Sequence, residues 1–204
     1  MNEAGEAVSN LPAILVLSMW WAFLSNLDLL FGPPRFGQAE GEGSGGADDA
    51  DADSDAGPHD PRLLELVAVD PAFSAEAFLV GARRAYEEIL RCYAGRELEG
   101  LRPLLSPEVL SAFAEACALR AERGETLEMT FVGIDAAEIA DAGVTADVAE
   151  ISVLFRAEIV SAVRSPQGAV LSGDPAAVTV TQDLWTFSRL LGDAAAAWVL
   201  VATE

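Results

Sequence analysis

Lysine is absent from this 204-residue chain, and twelve arginines stand against 33 Asp and Glu. The formal net charge is −21. A surface this acidic repels nucleic-acid phosphates, which argues against DNA or RNA as a partner. It also repels anionic lipid unless apolar contact does the anchoring. Histidine occurs once, at His59, inside a Gly- and Asp-rich stretch. That removes Ser-His and Cys-His nucleophile pairs and most histidine-based metal sites, so no metal and no cofactor is expected. Only two cysteines occur, Cys92 and Cys117, each in a helical apolar pattern. Two small buried thiols in a reducing compartment are the simpler reading, and a disulfide between two helices is the other.

What is present in quantity is apolar surface, 51% of the residues. A chain of this length suffices for one well-buried domain with appendages, and not comfortably for two. Three segments follow. Residues 1–32 contain "LPAILVLSMWWAFLSNLDLLFG", in which Asp28 is the only charge between Leu11 and Phe31. At about 1.5 Å per residue this run spans roughly 30 Å, a hydrocarbon core. Asn10 suits the cap and Pro12 the first turn. A membrane-anchor helix is expected, with Leu15, Leu17, Trp20, Trp21, Phe23 and Leu24 in lipid. An interfacial or partner-docking helix is the alternative. The residues ahead of it carry Glu3 and Glu6 and no basic group, unlike a cleaved signal peptide. Arg35, the one cation nearby, places the bulk of the chain in the cytoplasm by the positive-inside rule.

Residues 33–62 are rich in Gly, Ala, Ser and Asp and nearly empty of large apolar groups. Such a segment buries too little to offset chain entropy and reads as a flexible acidic linker. Its "DADADSDAG" fails as an EF-hand loop. Counted from Asp51, the glycine and glutamate positions hold Ala56 and Arg62.

Residues 63–204 read as the folded domain. Phe78, Ala82, Ala85, Ile89 and Cys92, with Leu79, Tyr86 and Tyr93 alongside, recur at three and four. The spacing predicts a helix over Ser74–Ala94 ended by Gly95. Ser106 and Pro107 open a second helix, with Leu110, Phe113, Ala114, Cys117 and Ala121 as its buried stripe and Gly124 as its stop. Past Gly124 the period drops to two. "TLEMTFVGI", "AEISVLFRAEIVSAV", "AAVTVTQDLWTFSR" and "AWVLVAT" alternate as strands, with turn signals at Asp141–Gly143, "RSPQG" and "SGDP". Helices followed by strands predict an α+β fold, a curved four-stranded antiparallel sheet with helices on its concave face.

These words also match in order. "FLVGARRAYEEILRCYAGRELEGLRPLLSPEVLSAFAEACALRAERGE", "TFVGID", "ISVLFRAEIVSAV", "GDPAAVTVTQDLWTFSR" and the terminal "WVLVAT" resemble the Tim44-like domain of the mitochondrial import-motor scaffold, in particular its alphaproteobacterial, TimA-type members. The resemblance implies a cone-shaped fold of the cystatin or nuclear-transport-factor-two kind. It implies a non-enzymatic adaptor at a bacterial inner membrane that binds a translocon, chaperone or ribosome-associated protein. It also implies an apolar pocket that touches lipid. The chain departs from the family pattern in "LLGDAAAAW", where polar residues are usual, and in a less basic segment after the apolar run.

Three functions remain open at this stage. The first is the tethered adaptor. The second is a tethered protein binding lipid or another apolar molecule in a pocket lined by Phe131, Phe155, Trp185, Phe187 and Trp198. The third is a small-molecule enzyme, with Asp183 or Asp135 as base and Tyr86 or Tyr93 as donor. Arg83, Arg84, Glu87 and Glu88 form either a solvated helix face or a docking surface.

Overall fold

A computed structural model describes residues 60–193 and 196–204. The expected anchor helix (residues 1–32) and most of the expected linker (33–59) lie outside the described residues. Among those described, no helix is long and apolar enough to cross a membrane. Asp60–Arg62, assigned to the linker on sequence, are the first of the described residues and belong to the folded domain. The Asp60 side chain caps a short 3-10 turn, Pro61–Leu63, by accepting from the Arg62 amide at 3.0 Å.

Four helices and four strands follow: α1 Leu64–Val69, α2 Ala75–Gly95, α3 Leu98–Leu101, α4 Pro107–Glu122, β1 Thr126–Thr145, β2 Val148–Arg164, β3 Val170–Leu190 and β4 Val199–Thr203. The strands form one antiparallel sheet in the order β1-β2-β3-β4. The expected α+β architecture, helices on a four-stranded antiparallel sheet, is therefore the observed one.

Each long helix is started by a serine. Ser74 accepts from the Ala77 amide at 3.2 Å and Ser106 from the Val109 amide at 3.3 Å, satisfying donors that have no intrahelical partner. The end of α2 differs from expectation. Gly95 is the last helical residue, and Arg96 takes the left-handed conformation at φ 59°. The Glu97 amide donates to Cys92 O at 2.8 Å and the Arg96 amide to Tyr93 O at 3.3 Å, a Schellman closure. The buried stripe of α4 is also rotated from the expected one. It runs Val109, Phe113, Cys117 and Arg120, while Leu110 and Ala114 are half-buried and Ala121 is exposed. Arg120 turns inward because its guanidinium stacks 4.4 Å from the Tyr93 ring and donates to Tyr93 O at 3.1 Å, meeting a carbonyl near the end of α2. Cys92 and Cys117 are buried free thiols.

The sheet turns where turn chemistry does not point. Asp141–Gly143 stay inside β1, and the hairpin closes at Ala146–Asp147 with Ala146 at φ 55°. "SGDP" lies inside β3, where only Val160 stands between the partners of Asp174 and Thr179. Gly173 there sits at φ 75°, and a Cβ would run into the carbonyl oxygen of Ser161. Three further register shifts interrupt β1 against β2. Bulges of this kind bend a strand and increase its twist.

Lengths position everything else. β1 has 20 residues, which at about 3.4 Å each would reach roughly 70 Å if straight. α2 has 21 residues and spans only about 32 Å. One helix cannot cover such a sheet from end to end, so apolar strand residues remain beyond it.

Candidate functional site

α2 crosses the inner face of the sheet from β4 to β1. At its start Phe78 meets Phe187 (5.9 Å between rings) and Trp198 (4.9 Å). At its middle Tyr86 is sandwiched against Phe155 and Trp185, both at 4.5 Å. At its end Ala94 and Gly95 come alongside Leu127 and Met129.

Alternation along β2 puts Ile151, Val153, Phe155, Ala157 and Ile159 inward, and all are buried. The same alternation along β3 puts Thr181, Asp183, Trp185 and Phe187 inward, also buried. Asp183 is therefore a carboxyl in an aromatic core. Tyr86 Oη donates to its Oδ2 at 2.6 Å and lies 3.3 Å from Thr181 Oγ1. Burial pushes the Asp183 carboxyl above the ordinary aspartate range, against hydrogen bonds from Tyr86 and Thr181 that favour the charged form. Burial, then the neighbouring Asp183 charge, raises the Tyr86 phenol. This is a sealed polar pair beneath the helix.

The other candidate base, Asp135, is on the exposed side, 3.5 Å from Arg156 in an ion pair. Tyr93 sits between α2 and α4 against Phe113, its phenol pushed up to about 12 by burial. The structure thus separates Asp135 and Tyr93 from the Tyr86–Asp183 pair. Arg189, two residues beyond Phe187, is not near Asp183. It pairs with Asp70 and lies 4.9 Å over the Trp198 ring, holding the loop after α1 to the strand. On the exposed face of α2, Arg91 bonds Glu88 at 2.7 Å. Among the described residues no three His, Cys, Asp or Glu side chains converge on a metal position.

Of the five aromatic candidates, Phe155, Trp185 and Phe187 are enclosed between α2 and the sheet. Trp198 is half-buried at the β4 end. Phe131, also half-buried, borders a groove. It packs 6.3 Å from Tyr86 and forms one wall of that groove, which holds about 550 Å³ between α2 and β1. Leu127 and Met129 continue the wall. The opposite rim carries Glu87, Arg91 and Glu97. The groove exists because the inward alternation of β1 continues past the point where α2 ends in Ala94 and Gly95, which have no bulk to fill it. The strand signal was legible, but its pairing with the small end of α2 was not. The anchor residues Leu15, Leu17, Trp20, Trp21, Phe23 and Leu24 lie outside the described residues.

The family model of the Tim44-like domain matches residues 62–204. No curated protein matches the chain. Among solved structures, the intermembrane space region of chloroplast protein ARC6 is similar at a TM-score of 0.43 and 13% identity, covering 62% of this chain and 94% of that one. A likeness of that degree carries no functional argument.

Proposed function

Because the chain belongs to the Tim44-like domain family, we propose that it is a non-enzymatic adaptor that holds a protein partner at a membrane. The reading includes the TimA-type, alphaproteobacterial assignment that the sequence blocks suggest. The run from Leu11 to Phe31 serves as a single-pass anchor in the bacterial inner membrane, with residues 60–204 on the cytoplasmic side. The partner is a translocon component, a chaperone or a ribosome-associated protein.

The observation that carries this reading is the α2–β1 groove. There candidate residues from the sequence meet an open concave surface, whose floor is apolar and whose rim is charged. The Tyr86–Asp183 pair supports a structural rather than a chemical role, since each group's best partner is the other. A groove walled by Leu127, Met129 and Phe131 also suits an acyl chain or another apolar molecule, which is the second reading.

A photoreactive amino acid in place of Met129, activated in native membranes, distinguishes them. The adaptor reading expects one reproducible protein adduct. Adducts to lipid alone would favour the second reading, and no adduct of either kind would remove the groove from consideration.

A further inference from the structure

The same groove borders a free strand edge. β1 is the first strand of the sheet, so one of its sides has no neighbouring strand among the described residues. Its second half is covered, because Arg62 donates to the carbonyls of Ile139 and Ala140. Its first half, Thr126–Phe131, runs in unbroken register with Arg164–Ile159 until the bulge before Gly133. Among the described residues no loop or helix backbone group bonds to it. Every second N–H and C=O of this stretch faces outward over about 20 Å. Such an edge templates another strand.

Charge selects the occupant. Glu87, Glu97 and Glu128 line the groove. The lining cation Arg91 is already bonded to Glu88 at 2.7 Å and Glu97 at 3.2 Å, and Arg164 answers Glu128 at 2.7 Å, so the uncompensated charge at the groove is the acid Glu87. The residues leading into Asp60, "DDADADSDAGPH", are acidic, so the rim repels this chain's own leader. A second copy would bring another chain of net charge −21 and set acidic rim against acidic rim. We propose that the α2–β1 groove receives an extended segment of a different protein as a fifth strand beside Thr126–Phe131, with alternate apolar side chains over Leu127, Met129 and Phe131 and Arg or Lys flanking them. This rests on reading the groove as the partner site and adds the form and charge of what binds.

The test uses the full chain in detergent and a fluorescent peptide of alternating valine and threonine with two arginines at each end. Two controls accompany it: the same peptide N-methylated on successive central amides, and a version with glutamate at the ends. The proposal expects the arginine peptide to bind and to slow amide exchange at Thr126–Phe131. It expects each control to bind at least tenfold more weakly. Equal binding of the N-methylated peptide, unchanged exchange at β1, or no binding of the arginine peptide would each overturn strand addition. Crosslinking from position 129 in native membranes separates the two levels. A protein adduct alongside peptide failure leaves the adaptor standing without strand addition, and failure of both removes both.

Discussion

Replacing Tyr86 by Phe deletes one oxygen and nothing else, and the structure says what that oxygen does. It is the 2.6 Å donor to Asp183, a carboxyl that is 7% exposed and has Phe155 and Trp185 packed beside it. Hydrogen bonds to charged groups contribute about 1.5–3 kcal/mol, and neutral ones about 1 kcal/mol. The loss in Tyr86→Phe should therefore depend on pH. Below about pH 4, where Asp183 is protonated folded and unfolded, the cost should be about 1 kcal/mol. Above the raised folded pKa of Asp183 it should reach about 2–3 kcal/mol, or roughly 6–12 °C in Tm for a domain of this size. Urea unfolding followed by tryptophan fluorescence, repeated in steps across the pH range in which the domain stays folded, measures both. The Asp183→Asn background supplies the control, because there the pH dependence of the Tyr86→Phe cost should vanish. A cost under 0.5 kcal/mol at every pH, or a cost that does not change with pH anywhere in that range, would refute the buried-pair argument.

The Asp183→Asn change alone makes a separate prediction. A folded pKa raised by burial contributes stability that is whole below the unfolded value near 4 and is lost as pH rises through the folded value. The variant should gain on wild type across that interval, and a constant difference would mean no burial shift. Gly81, exposed inside α2 with nothing within 4 Å of an added Cβ, should yield about 0.5–1 kcal/mol of stabilisation on conversion to Ala, read by thermal melting. Gly173→Ala should cost at least ~2 kcal/mol, since its φ of 75° and the Ser161 carbonyl both oppose a side chain; a neutral result would mean the β3 bulge relaxes freely. Carbonate washing of native vesicles should leave the chain in the pellet if Leu11–Phe31 is an anchor, and release into the supernatant would end the tether.

How far the fold could be read ahead depended on whether the signal was local. The 3.6 period put Phe78, Ala82, Tyr86 and Ile89 on one face of α2, and the period of two put Ile151 through Ile159 on one face of β2. Both held because each segment has a single side that can be buried. Turn chemistry misled at Asp141–Gly143 and "SGDP". Gly and Asp mark bulges within long strands as well as hairpins between short ones, and the actual hairpin uses Ala146, a residue with no turn signal. Arg120 was invisible because an arginine at a stripe position reads as surface. Only the Tyr93 ring and carbonyl, 27 residues earlier, make its burial favourable. Asp183 and Tyr86 were both legible as candidate base and donor, but their pairing was not, because Tyr86 comes from a helix 97 residues away. The groove was least legible, since it arises from a length mismatch between α2 and β1 and from the smallness of Ala94 and Gly95.

The central claim is that the α2–β1 groove is where a protein partner is held. Met129→Glu adds a fourth acidic side chain to a groove already lined by Glu87, Glu97 and Glu128, at a half-buried position, and should leave the fold intact by circular dichroism. Affinity recovery of the full chain from gently solubilised membranes, wild type against Met129→Glu, tests the claim directly. The account predicts a specific protein recovered with wild type and reduced at least fivefold with the variant. Equal recovery from both, with both folded, would contradict it.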